Sequence, residues 1–241
     1  MHQITSYFFM YAKVVVTDKV PFIWTFVIPL IIALTQSFSD IRQATTAQYY
    51  PGLSYFWVYI ILATYVNGVG IELARMREYG LMKTYVMISG NKLTYVIAVI
   101  LAQLLFASIS LTLFTTVVTL VHGFFSFKLI ATSLLVLIGS IPFAVANVAI
   151  TTLPVKVSSL GTFANILMFP LFLLAIKSPD QWFSFFNPFY ALHEFALGLL
   201  HLTTQVELSF GVWATFLSIL GYFIIGAIAL KRFSLVSLIT R

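Results

Sequence analysis

The densest polar patch of this chain runs from Glu72 to Lys83. It holds Glu72, Arg75, Arg77, Glu78 and Lys83, with Met76, Tyr79 and Gly80 set among them. The run reads as a short amphipathic helix, with Leu73, Met76 and Gly80 on one arc and Arg75, Glu78 and Met82 on another. Gly80 is placed to end or bend it. The chemistry open to such a run is ion pairing and packing rather than group transfer. By composition alone it is also what an ordinary basic loop between membrane spans looks like. Catalytic signatures are missing elsewhere. No G-x-x-x-x-G-K-[ST] occurs, and Gly90-Asn91-Lys92 is only a loop. His193-Glu194 is followed by Leu197, and the next histidine is His201, which excludes the H-E-x-x-H zinc pattern. There is no G-x-S-x-G, no cysteine and no pair of intramembrane aspartates. No catalytic site and no metal site are expected.

The elements that must carry this patch follow from where charge is absent. Six stretches contain no Asp, Glu, Lys or Arg: between Lys19 and Asp40, Arg42 and Glu72, Lys92 and Lys128, Lys128 and Lys156, Lys156 and Lys177, and Glu207 and Lys231. About 20 apolar residues at ~1.5 Å rise cross the ~30 Å hydrocarbon core of a bilayer. Composition agrees, with 61% hydrophobic and 8% charged residues, against roughly 25% charged in a soluble chain. We therefore expect an all-α integral membrane protein, a single domain over 1–241, with six spans near 21–39, 54–72, 93–121, 129–151, 158–176 and 209–230. Six spans put both termini on one side. Ten basic residues (Lys13, Lys19, Arg75, Arg77, Lys83, Lys92, Lys156, Lys231, Arg232 and Arg241) then face that side, and Arg42, Lys128 and Lys177 face the other. The positive-inside bias makes the first side cytoplasmic. The net charge of +6 is explained this way and does not point to nucleic acid. No cleavable signal peptide is expected, because residues 1 to 20 lack a basic n-region.

Two segments are not expected to span. Over 3–19, Ile4, Phe8, Tyr11 and Val15 recur at helical spacing, which suggests a helix lying in the membrane interface. The segment 178–206 is divided by Glu194 and contains Pro179, Asn187-Pro188, His193 and His201. A seventh span would bury Glu194 at mid-membrane, so an outer or re-entrant helix pair broken at Asn187-Pro188 is expected instead. The six spans hold almost no Asp, Glu or His, which leaves little for a proton or sodium relay. Energy for any pumping would come from a partner. The apolar and aromatic lining expected for a substrate pathway is Tyr55, Tyr59 and Leu62 of the second span and Thr162, Asn165, Ile166 and Phe169 of the fifth. Aromatic residues at this spacing also serve as packing or as an interface belt.

The E-x-A-R-x-R-E-x-G-x-x-K run after the second span resembles the permease subunits of type-2 ABC transporters, whose E-R-E-x-G-T-x-x element forms a coupling helix. Glu72, Arg75, Arg77, Glu78 and Gly80 match that element, and Leu81 stands where Thr is usual. The amphipathic start, the six spans, the short loop around Pro154 to Ser158 and the outer Asn187-Pro188 break fit the same family in order and spacing. The resemblance implies a permease in the cytoplasmic membrane that pairs with a second permease chain, identical or sister. Two copies of a separate ATPase subunit would bind ATP and Mg. Glu72, Arg75, Arg77 and Glu78 would make polar contacts across that subunit boundary, with Met76 and Tyr79 packing into a cleft. The implied cargo is an amphipathic peptide, lipid or drug; a polysaccharide or glycolipid exporter of the same fold and a passive channel without an ATPase are the alternatives.

Overall fold

The computed structural model describes residues 2–17, 22–35, 46–177, 184, 186–206, 208 and 211–233. All regular structure among them is helical. Helix α1 covers His2–Thr17 and α2 covers Ile23–Thr35, opening with a π turn over Ile23–Val27. Helix α3 is continuous over 46–78: Thr46–Tyr65, a π segment Val66–Ile71, then Glu72–Glu78. A short α4, Leu81–Ser89, leads into α5, Lys92–His122. Phe127–Gly139 is α6 and Ile141–Thr152 is α7. Val157–Lys177 is α8, Pro188–Thr204 is α9 and Val212–Arg232 is α10.

Local sequence explains the boundaries. Asn91 accepts the Leu93 amide at 2.9 Å to start α5, and Gly123 ends it in the left-handed region at φ 77°. The Ser126 hydroxyl caps α6 in the same way. Asn187 accepts the Phe189 amide at 3.0 Å, and Pro188 occupies the first turn of α9. These are residues that satisfy or tolerate the orphan amides of a helix start.

The bundle is centred on α3. Its apolar stretch is 72% buried, against 17% for those of α8 and α10. Trp57 and Tyr65 are fully buried on α3. Each has a polar tip that finds a partner: Trp57 Nε1 donates to Thr115 Oγ1 at 2.9 Å, and the Tyr65 hydroxyl bonds Ser140 Oγ at 2.8 Å. Helix α1 lays its inner face along the first half of α5, with Tyr7 and Tyr11 buried and Ile4, Phe8 and Val15 packed against the core. The expected apolar stripe is thus the face that packs, while Phe9, Met10 and Val14 point outward.

Three expectations change. Four helices are long and apolar enough to cross a bilayer, or five if α6 and α7 are one bent span. Six is not reached among the described residues. The first expected span contributes only Ile23–Thr35, because 18–21 and 36–45 lie outside them. The fourth is bent by 40° where α6 meets α7, since Pro142 has no N–H and crowds the carbonyl four residues back. The second span does not hand over at Glu72 to a separate helix. It runs on to Glu78, because Ala74, Arg75, Met76 and Glu78 are strong helix formers and nothing breaks the helix before Gly80. In the segment 178–206 the described part is the helix α9, with Asn187-Pro188 at its start and a turn at Ser184 and Phe186 before it; residues 178–183 and 185 lie outside the described residues.

Candidate functional site

The end of α3 meets the loop between α7 and α8. Glu72 is 6% exposed and accepts from Arg75 Nη1 at 2.7 Å, one turn later. Arg77 is 5% exposed, and its Nη2 donates to the Leu153 carbonyl at 3.4 Å while its Nε has no partner. Glu78 Oε2 accepts from the Val157 amide at 2.8 Å. Val157 is the first residue of α8, so its N–H is one that the helix itself leaves unsatisfied. A carboxylate also suits the positive end of the helix dipole. Gly80, at φ 75°, takes a conformation that side chains disfavour, and the chain turns there into α4. Tyr79 is 69% exposed, Met87 76% and Ile88 68%. Leu81, Lys83 and Gly80 are also exposed, Met76 is half-buried and Met82 is buried. All four charges singled out for partner contact are therefore engaged inside the chain, and of them only Arg75 is exposed. The surface on offer is Arg75, Tyr79, Gly80, Leu81 and Lys83, with Met87 and Ile88 beyond.

Behind this surface lies a cavity of about 80 Å³ with a mixed lining, in which Tyr11, Thr64, Asn67, Glu72, Arg75 and Gln103 meet Val14, Val15, Ile71 and Phe106. The π segment of α3 forms one wall. Gly68 sits there because a Cβ would fall on the Gln103 side chain. The Tyr11 hydroxyl donates to the Gly68 carbonyl at 3.1 Å, and the Tyr7 hydroxyl donates to the Tyr85 carbonyl of α4 at 3.1 Å. One N-terminal helix thereby holds both the π segment and the exposed connection. Sequence reasoning missed Gln103 and this role of the tyrosines. The available signals were a lone Gln in an apolar run and two glycines, Gly68 and Gly70, two residues apart.

The expected substrate-lining residues are not brought together. Tyr55 stacks on His193 with ring centroids 3.6 Å apart, and Tyr59 packs on Phe172 at 5.5 Å. Leu62 is buried. Thr162, Asn165, Ile166 and Phe169 lie on the outward face of α8. Hydrogen bonds nevertheless join the two helices: Asn67 and Asn165 exchange amide bonds at 3.3 and 3.2 Å, and the Tyr55 hydroxyl donates to the Ala175 carbonyl at 3.4 Å.

At the opposite end of the bundle, α9 ties its neighbours together. His193 Nδ1 lies 2.9 Å from the Ser54 hydroxyl. The Asn187 amide donates to Leu171 O at 2.7 Å. Glu194 accepts the Gly211 amide at the start of α10. Burial holds the Glu194 carboxyl above its usual range, partly offset by that amide. Among the described residues no group of three or more His, Cys, Asp or Glu is placed to hold a metal ion.

No family model matches the chain, and neither the curated proteins nor the solved structures include one that matches it. What fold and site define is an all-helical protein with several helices long and apolar enough to cross a membrane. Its exposed apolar connection 79–88 follows directly on Glu78, whose carboxylate takes the first amide of α8.

Proposed function

We propose that this chain is the membrane-spanning subunit of an ATP-driven exporter, working as a pair with a second permease chain in the cytoplasmic membrane. A separate ATPase subunit would dock on the connection 79–88 and hydrolyse the ATP. The support is the resemblance of the Glu72–Lys83 run, the exposed Tyr79, Leu81, Met87 and Ile88 beside Lys83, and above all the 2.8 Å bond from the Val157 amide to Glu78. Exposed apolar side chains in a cluster mark a docking surface. A push on that surface reaches Glu78 within one turn, and Glu78 holds the start of α8. Helix α8 is the mostly exposed helix that carries Ser158, Thr162 and Asn165 outward, so its displacement is the motion that would open or close a route between two chains. Cargo would be an amphipathic peptide, lipid or drug, in keeping with the uncharged outward face of α8 between Ser158 and Ile176.

Glu78 variants test this reading in proteoliposomes with the ATPase present. Glu78→Gln keeps an acceptor for the Val157 amide and is expected to transport. Glu78→Arg is expected to retain the ATPase yet lose transport. Equal transport by both variants counts against the linkage. Flux through the chain alone, without ATP, would favour the passive channel.

A further inference from the structure

We infer that the groove between α8 and α10 is a lipid site: it takes one hydrocarbon chain of an anionic phospholipid, whose phosphate is met by Lys156, Lys231 and Arg232. The site needs only the membrane character of the chain and stands apart from the exporter reading.

A cavity of about 250 Å³ lies between these helices, floored by α3 and α7 through residues such as Val66 and Ile150. An apolar cavity of about 150 Å³ in a protein core stays dry and admits benzene, so this larger one suits hydrocarbon better than water. Only two lining side chains are polar, and both are already engaged. Asn147 donates to Phe143 O at 2.8 Å and Tyr222 donates to Phe186 O at 2.7 Å. A polar ligand would find few groups to bind. The lining follows α8 from Leu160 to Leu171, a path of ~16 Å. A modest volume over that length fits a single extended chain rather than a globular ligand.

The mouth and its charges choose the occupant. Phe163, Leu167 and Ile225 line the cavity and are exposed, on two helices whose faces are otherwise turned to the surroundings of the bundle. For helices of this length and apolarity, those surroundings are acyl chains. The start of α8 and the end of α10 lie at the same end of the bundle. Glu78 holds the first beside the end of α3, and Lys92 Nζ, donating to Phe233 O at 3.1 Å, holds the second beside the start of α5. Lys156 precedes α8, and Lys231 and Arg232 close α10; all three are exposed. None of them makes an ion pair among the described residues. Basic side chains at the ends of two helices, above a groove that accepts hydrocarbon, match a negatively charged headgroup with its chain below.

Native mass spectrometry of the detergent-purified protein tests the site, with phosphatidylglycerol and phosphatidylcholine offered in equal amounts. Wild type is expected to retain one phospholipid per chain, with phosphatidylglycerol favoured at least roughly fivefold. Ala164→Phe, which fills the groove, is expected to lose the retained lipid while its helical circular dichroism stays unchanged. Reversing the surface charges in Lys156→Glu, Lys231→Glu and Arg232→Glu together is expected to keep a lipid and abolish the preference. Retention that Ala164→Phe leaves intact would mean surface lipid only and overturn the site. So would a preference that survives the charge reversal, or the absence of any retained lipid.

Discussion

Arg77 and Glu78 are neighbours in sequence, yet each holds a different piece of the loop between α7 and α8. Arg77 reaches the Leu153 carbonyl and Glu78 takes the Val157 amide. Their stakes differ. A helix-start acceptor is worth about 1 kcal/mol, so Glu78→Ala is expected to lower stability by that amount in thermal unfolding, and Glu78→Gln by less. Arg77 is a buried cation with one long bond and an unpartnered Nε. Replacing a buried charge by an apolar side chain of similar length is often neutral or stabilising. Arg77→Met is therefore expected to hold or raise the melting temperature, whereas Arg77→Ala leaves a void and is expected to cost about 2 kcal/mol. Glu194 carries a pH signature. Its carboxyl is raised above the usual 4.5 by burial, so the folded protein binds that proton more tightly than the unfolded chain. The stability contributed is complete below 4.5 and is lost as pH rises through the raised value. Wild-type melting temperature is expected to fall across that window, and Glu194→Gln to flatten this part of the profile.

At the scale of elements, charge spacing made α3, α5, α8 and α10 legible, because a helix in lipid cannot carry ions on its outer face. Three features were not legible. The extension of α3 to Glu78 was hidden because Glu72 looked like the membrane boundary, and the boundary of a helix is not the boundary of a bilayer. The bend at Ser140 was announced only by Pro142. The π segment of α3 packs Gly68 directly on Gln103 of another helix, and contacts between helices leave no mark in local periodicity. The Glu78–Val157 and Glu194–Gly211 bonds were invisible for the same reason; the acids were conspicuous, but their partners are backbone amides. Gly68→Ala tests the packing of the π segment. Overpacking at a tight contact costs typically ~1–3 kcal/mol, and Gln103→Ala in the same chain is expected to restore most of it. Melting temperatures of the single and double variants measure the coupling.

For the whole molecule, a rigid centre and two loosely buried helices suggest how work could be divided. Helix α3 is fixed by buried aromatics and by the bonds of Trp57 to Thr115 and Tyr65 to Ser140, while α8 and α10 are held at their starts by Glu78 and Glu194 and expose most of their length. In the proposed exporter, α8 is the moving part and the connection 79–88 is the handle. The most direct test is ATP hydrolysis by the protein purified from its native membranes, for wild type and for Tyr79→Glu with Leu81→Glu. The account predicts vanadate-sensitive hydrolysis that accompanies wild type and is lost from the double variant while the helical fold is unchanged. Wild-type protein that is pure and folded but free of any ATPase would contradict it, and so would hydrolysis indifferent to the two substitutions.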